Sequence, residues 1–372
     1  MSSSTSSSDP SSDQAGDHRK WRQTAGWFFG GAAALAFVIM ALVIIVDPFD
    51  TLPVSPPLDR VPISSNARFS FPALARAERF DSAIIGTSTS RLLRPDMLDG
   101  LLDGKFVNLA MNSATAYEQY RMLALFGRHH PEMQFLIMGV DLVWCGTGDS
   151  FEKYTPRPFP EWMYDDNRWN DFLHHFDFFT LEQTGRQLAT MLGLRAVKYG
   201  RDGYTDFLPD PSEYDLGKVR QSLVKMRELN IQAPKAGGDF APDRLTFPTH
   251  PMLAELLRGL PADTQKLLFF APYHRAQHPL ADSIPGREWF ECKQRIARLA
   301  ADIPNMRVAD FMIASPFTTR DENYWDPLHY SVAAADELMR DLAAAMTGEK
   351  TGSNFDLLAP GMQPRPFPGT AD

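Results

Sequence analysis

The sequence predicts an α/β domain, a three-layer α/β/α arrangement around a mostly parallel five-stranded sheet, preceded by one transmembrane helix. Three observations lead there. From about residue 77, short apolar β-favouring runs alternate with helix-length segments, the pattern of strands buried on both faces and joined by crossover helices. Near the start, Trp27 to Val46 runs 20 residues without a charge, roughly 30 Å of helix and enough to cross a hydrocarbon core. Apolar residues make up 44% and charged residues 22% of 372, a composition that supplies a core and excludes wholesale disorder.

Charge and cysteine use narrow the classes further. With 37 Lys+Arg against 46 Asp+Glu, the net charge of −9 argues against a nucleic-acid binder, which needs a basic face for phosphates. The 29 prolines and 24 glycines point to many loops and away from a helical bundle. Cys145 and Cys292 can form at most one bridge and show no metal-finger spacing.

Residues 1–23 begin Ser-rich and polar and read as a disordered cytoplasmic tail. Residues 24–46 read as an uncleaved signal anchor. A cleaved signal has an apolar region of about 7–15 residues and a small-residue cleavage site; this run is longer and continues into Asp47-Pro48-Phe49. Arg19, Lys20 and Arg22 precede it and Asp47, Asp50 and Asp59 follow, so the positive-inside rule places the chain beyond residue 46 outside the cytoplasm, periplasmic or extracellular. Residues 47–76, rich in proline, read as a semi-extended linker.

The main domain spans residues 77–346. Its strands are expected at Phe80–Ile85, Phe106–Met111, Phe135–Gly139, Lys266–Phe270 and Met306–Ala309, with helices at Ala116–His129, Trp289–Ala301 and from about Ser331 to Met346. Between about 145 and 264 the alternation breaks into an aromatic, turn-rich insertion with helices near Leu181–Val197 and Leu216–Leu229, expected to lie over the ligand edge of the sheet. Residues 347–372 read as an irregular tail.

In such sheets the site lies beyond the carboxyl ends of the strands, and the chemistry-bearing residues fall there. In DSAIIGTSTSRLL a strand ends at Ile85 and Gly86-Thr87-Ser88-Thr89-Ser90 makes a tight turn. Ser88 sits beside free backbone N–H groups that can stabilise an oxyanion while its hydroxyl attacks a carbonyl; the plainer alternative is a Ser/Thr helix cap. In ENYWDPLHYS, Asp326 stands three residues before His329, spaced to meet the imidazole Nδ1–H and leave Nε2 facing the site.

Together, the order Ser…Asp-x-x-His, with Ser88 and His329 set 241 positions apart, resembles the SGNH (GDSL-like) hydrolase superfamily over residues 77–346 outside the insertion. The resemblance implies a flavodoxin-like sheet and a Ser88–His329–Asp326 triad. Gly86-Thr87-Ser88 stands where that family has Gly-Asp-Ser. Asn112-Ser113, in VNLAMNSATAYEQ, stands at its glycine block, where a backbone N–H serves as oxyanion donor. Asp141, in LIMGVDLVW, stands at the asparagine of its Gly-x-Asn. An ionised aspartate donates no hydrogen, so Asp141 must be protonated, or bind something else, or leave the oxyanion to the Ser88 and Ser113 amides and an insertion residue.

With the anchor, the layout is similar to membrane-anchored polysaccharide O-acyltransferase proteins of the alginate O-acetylation and D-alanyl transfer type. That implies an O-acyltransferase or esterase acting on a cell-envelope or exported glycan, with the bilayer and a multi-span membrane acyltransferase as partners and no nucleic acid or cofactor. The alternative is a catalytically inactive glycan-binding or assembly scaffold of the same fold. Arg91, beside the nucleophile turn, and His274, at the fourth strand's end, are further substrate-binding candidates. Trp162, Tyr164, Trp169 and Tyr204 in the insertion are placed either to stack on sugars or to pack a lid. His174-His175 point different ways on a helix and make no metal pair.

Overall fold

A computed structural model describes residues 10–238, 240–349, 353–359, 362 and 365, with the backbone alone for 10–18. The described chain divides into two compact units: residues up to 60 together with Arg168–Arg195, and Val61–Asn167 together with the chain from Ala196 onward.

The first unit is built on α1, Pro10–Val46. Residues 10–23, expected as disordered tail, are helical: Pro10 suits a first helical position, and once the apolar segment is helical, extension costs little per residue. Residues Arg19–Val46 are long and apolar enough to cross a membrane, with a mean hydropathy of 2.7 over their most apolar stretch. The helix stops at Asp47, whose positive φ of 41° turns the chain and whose carboxylate accepts from the Thr51 and Leu52 N–H groups and the Ser55 hydroxyl. Arg60 donates to the otherwise orphaned carbonyls of Ile45 and Val46. The returning segment docks through Arg168, which donates to the Thr51 carbonyl at 2.6 Å, and carries α5, Phe178–Met191, capped by Asp177.

The second unit holds a six-stranded sheet: β1 Ser82–Ile85, β2 Phe106–Asn108, β3 Phe135–Val140, β4 Gln265–Phe270, β5 Met306–Asp310 and β6 Asp356–Leu357. The spatial order is β2-β1-β3-β4-β5-β6, with the first five parallel and β6 antiparallel to β5. All five expected strands are present. β2 is shorter than expected as a strand, although Leu109 and Met111 continue to donate to the Ile84 and Gly86 carbonyls. β6 falls within the expected irregular tail, and a two-residue strand leaves no periodicity to read; residues 350–352, 360–361, 363–364 and 366–372 of that tail lie outside the described residues.

The crossover helices are α3 (Pro95–Leu102), α4 (Ala116–His129), α7 (His250–Arg258) and α8 (Ile284–Ala301), with α9 (Val332–Thr347) closing the domain and α2 (Ala67–Ala75) preceding it. α3 and α9 pack together on one face; α4, with α2 and α7, covers the other. The expected 47–76 linker is not one extended spacer: residues to Arg60 pack in the first unit, and the Asn66 side chain caps α2. α6, Leu216–Ile231, matches its expected position, whereas α7 was not anticipated.

The expected single insertion at 145–264 is not one body: Arg168–Arg195 belongs to the first unit and the remainder to the sheet unit. Cys145 and Cys292 are bonded, with Cα atoms 5.6 Å apart, joining the loop after β3 to α8. The chain reverses direction across the sheet between β1 and β3, so the crevice beyond their carboxyl ends is the topological switch point.

Two core histidines set an acid limit on this unit. Burial pushes His250 down to about 4 and His278 down to about 3; the latter donates from Nε2 to the Tyr273 carbonyl. Both values lie below the ordinary value near 6.5, so between them the unfolded chain binds more protons than the folded one. Stability should therefore fall as pH drops below about 6.5, by up to about 1.4 kcal/mol per pH unit per histidine. Urea midpoints in detergent should be lower at pH 5 than at pH 7; equal midpoints would contradict neutral burial.

Candidate active site

At the end of β1, the chain turns through Gly86 and Thr87 into a short 3-10 turn, Ser88–Ser90. Gly86 is required by close approach: a Cβ there would meet Ser90 Oγ at 2.3 Å, and one on Gly139 of β3 would meet the same atom at 2.4 Å. Two strand ends thus close around the Ser90 side chain and leave Ser88, half-buried, at the switch point.

The other half comes from the loop before α9, pinched by an antiparallel bridge between Tyr324 and Tyr330. Asp326 Oδ1 accepts from the Leu328 and His329 N–H groups at 2.8 and 2.9 Å, an Asx-type turn that fixes the carboxylate. Its Oδ2 meets His329 Nδ1 at 2.7 Å, and His329 Nε2 meets Ser88 Oγ at 2.8 Å. Because Nδ1 faces a carboxylate, it carries the proton and Nε2 is left as acceptor for the serine hydroxyl. Burial pushes the Asp326 carboxyl up, but the hydrogen bond and charge of His329 and the two backbone donors outweigh it and hold it below the usual carboxylate range. From the strand side, the His274 N–H donates to the Pro327 carbonyl at 2.9 Å and steadies this loop.

Asp141 is where the sequence reading and the structure part. Its carboxylate, 3% exposed, accepts from Thr87 Oγ1 at 2.5 Å, Thr89 Oγ1 at 3.1 Å and Tyr273 OH at 2.6 Å. The geometry fits its binding something else, since it anchors both neighbours of Ser88, and is compatible with an oxyanion left to backbone amides. Burial, then the Asp141 charge and hydrogen bond, push the Tyr273 phenol far above its ordinary value, so it stays a donor. The Tyr330 hydroxyl also donates to the Thr89 carbonyl of this turn.

The amide block keeps backbone N–H donors. Ser113 has φ +52°, the left-handed conformation in which glycine is favoured. The Asn112 carbonyl accepts from Arg68 at 3.3 Å and Arg157 at 2.9 Å. In a trans peptide this turns the Ser113 N–H to the opposite side and polarises it. Among the described residues, neither the Ser88 nor the Ser113 N–H has a backbone acceptor. The Asn112 side chain is occupied, its Oδ1 accepting from Arg91 at 2.6 Å.

Arg91 and His274 were candidates for direct substrate contact, and the structure gives both other partners. The Arg91 guanidinium is 4% exposed and lies between the Tyr199 and Phe207 rings, 5.5 and 5.1 Å from their centroids. Burial lowers its pKa, with Tyr199 acting in the opposite sense. His274 accepts at Nδ1 from the Ala276 N–H and pairs at Nε2 with Asp321 at 3.2 Å. It lines a cavity of about 410 Å³ whose lining includes none of the triad. Tyr164 is fully buried and so is not placed as a platform for sugars, and Trp169 belongs to the first unit.

Phe207 was missed. Its ring meets the His329 imidazole edge-on at 5.6 Å, and its loop is held by the Asp202 carbonyl accepting from the Asn108 N–H at 2.7 Å. Gly203, at φ +81°, permits that approach, since a Cβ would meet the Asn108 carbonyl oxygen at 2.2 Å. Nothing local in TDFLPDP signals it; the paired threonines around Ser88 were the legible sign of a flanking acceptor. Among the described residues, no group of three His, Cys, Asp or Glu is placed to hold a metal ion. No family model matches the sequence, and no curated protein matches it either.

If Asp141 anchors the turn, Asp141→Ala leaves three buried hydroxyls without their acceptor. The cost should be about 2–4 kcal/mol, a fall in Tm of roughly 3–7 °C. Asp141→Asn, which keeps one acceptor oxygen, should lose less than half of that. An unchanged melting temperature for the alanine variant would remove the anchoring role.

Proposed function

We propose that the chain is a membrane-anchored serine O-acyltransferase or esterase of SGNH type, acting outside the cytoplasm on a cell-envelope or exported glycan. The observation that carries this reading is the unbroken relay from Ser88 Oγ through both ring nitrogens of His329 to Asp326, assembled across 241 positions. The polar flanks of the apolar helix support the location, and the Cys145–Cys292 bridge suits an oxidising compartment.

In the first half-reaction Ser88 Oγ bonds to the acyl carbon of a donor ester while its proton passes to His329 Nε2. The Ser88 and Ser113 N–H groups stabilise the oxyanion, and His329 returns the proton to the departing alkoxide. In the second, a sugar hydroxyl gives its proton to Nε2 and its oxygen takes the acyl group, restoring the Ser88 hydroxyl when His329 protonates it. Water in place of the sugar makes the same site an esterase. A multi-span membrane acyltransferase is the donor partner that this reading implies. Asp326, charged throughout, stabilises the imidazolium formed between the steps.

Ser88→Ala and His329→Ala should each reduce release of acetate from p-nitrophenyl acetate by about 10⁴-fold or more, and Asp326→Asn by about 10³–10⁴-fold. Full rates in both alanine variants would remove the nucleophile assignment. The second reading, a silent scaffold, is favoured by Asp141 standing where the resemblance places an asparagine. A fluorophosphonate probe decides between them: covalent labelling of the wild type that disappears in Ser88→Ala supports the enzyme, and an unlabelled wild type supports the scaffold.

A further inference from the structure

The segment Arg168–Arg195 is inside out. Along α5 the residues at helical spacing Thr180, Gln183, Thr184 and Gln187 are all 2% exposed or less. Six exposed positions of the same segment are large and apolar, Trp169 at 66%, Leu173 at 81%, Phe176 at 50%, Phe178 at 91%, Leu192 at 64% and Leu194 at 78%, beside the exposed His174, Asp177, Glu182 and Arg195. A helix in water buries its apolar stripe and shows its polar one. Polar side chains turned inward beneath a dense apolar surface are the arrangement expected where the surrounding medium is hydrocarbon.

Position within the first unit says which medium this is. α5 lies against the last turns of α1, and Phe176, Phe178 and Leu181 line one groove with Met40 and Val43. Those two residues precede Val46 by roughly 5–9 Å of helix. If α1 crosses the bilayer, whatever touches Met40 and Val43 sits at the boundary of headgroups and acyl chains in the leaflet where α1 ends. That depth suits an interfacial helix. The charges present are compatible with it: Asp177 is engaged by the Thr180 N–H at the helix start, and Glu182 is paired with Arg186 one turn further on.

We propose that residues 169–194 form a second membrane element, lying in the interface with Phe176, Phe178, Leu192 and Leu194 among the acyl chains. The occupant of this face is lipid. The inference rests on α1 being a membrane span, as the proposed function has it, and adds that the anchor is a helix with an interfacial buttress. The buttress restricts how α1 tilts.

Photo-cross-linking of the full chain in phosphatidylcholine vesicles tests it, with p-benzoylphenylalanine placed singly at Phe178 or Leu194, at Phe37 within the span, and at exposed Val224 in α6. The expected result is lipid adducts at 178 and 194 as abundant as at 37, and none at 224. Adducts at 37 alone would overturn the buttress and leave the span standing. Loss at 37, 178 and 194 together would overturn both. In native membranes, adducts from 178 and 194 to a protein in place of lipid would overturn the assignment of the occupant.

Discussion

A single buried carboxylate governs where the serine hydroxyl points. Asp141 leaves the end of β3 and gathers hydroxyls from two other strand ends: Thr87 and Thr89 after β1, and Tyr273 after β4. Among the described residues its hydrogen bonds come from hydroxyls, and each donor is held in one rotamer as a result. Ser88 lies between the two threonines, with its own side chain free for His329. The three adjacent strand ends and the turn are therefore tied to one carboxylate. Tyr330, the residue after His329, ties the second half of the relay to the same turn.

Much of this architecture was legible because it is local. Strands buried on both faces show as apolar runs, and the right-handed crossovers that join them leave few topologies open. Ser88 and the Asp326–His329 pair could be read because each sits in a turn whose shape its own neighbours dictate: Gly86 on one side, Pro327 and the Asx turn on the other. Their meeting was an inference from order along the chain, since strand ends that follow one another in a parallel sheet open on the same edge.

What escaped reading is what depends on distant partners. Asp141 looks like a failed asparagine until Tyr273, 132 positions away, is seen donating to it. Phe207 has no local signature, because its place beside His329 is set by a loop docked on Asn108. The insertion misled for a different reason. Its aromatics read as one lid, yet Tyr164 is core, with its hydroxyl donating to the Arg68 carbonyl, and Trp169 belongs with the apolar helix. Hydropathy along α5 cannot say which face is outward, since an amphipathic helix has the same period in water and against lipid.

The disulfide links the site to its surroundings in one further way. Cys145 closes the 3-10 turn that begins at Asp141, with the Trp144 N–H donating to the Asp141 carbonyl and the Cys145 N–H to that of Leu142. Trp144 is fully buried, donating from its indole to Gln119 in α4, so this turn is already clamped toward the helix layer. Bonding Cys145 to Cys292 in α8 closes a loop with 147 positions between its ends, a constraint on the unfolded chain of about 5 kcal/mol in the loop-entropy model. Because the bridge begins four residues beyond Asp141, it restrains the same strand end that aims Ser88. The bridge therefore adds a covalent tether to a strand end that Trp144 already clamps, and its main contribution falls on the unfolded chain.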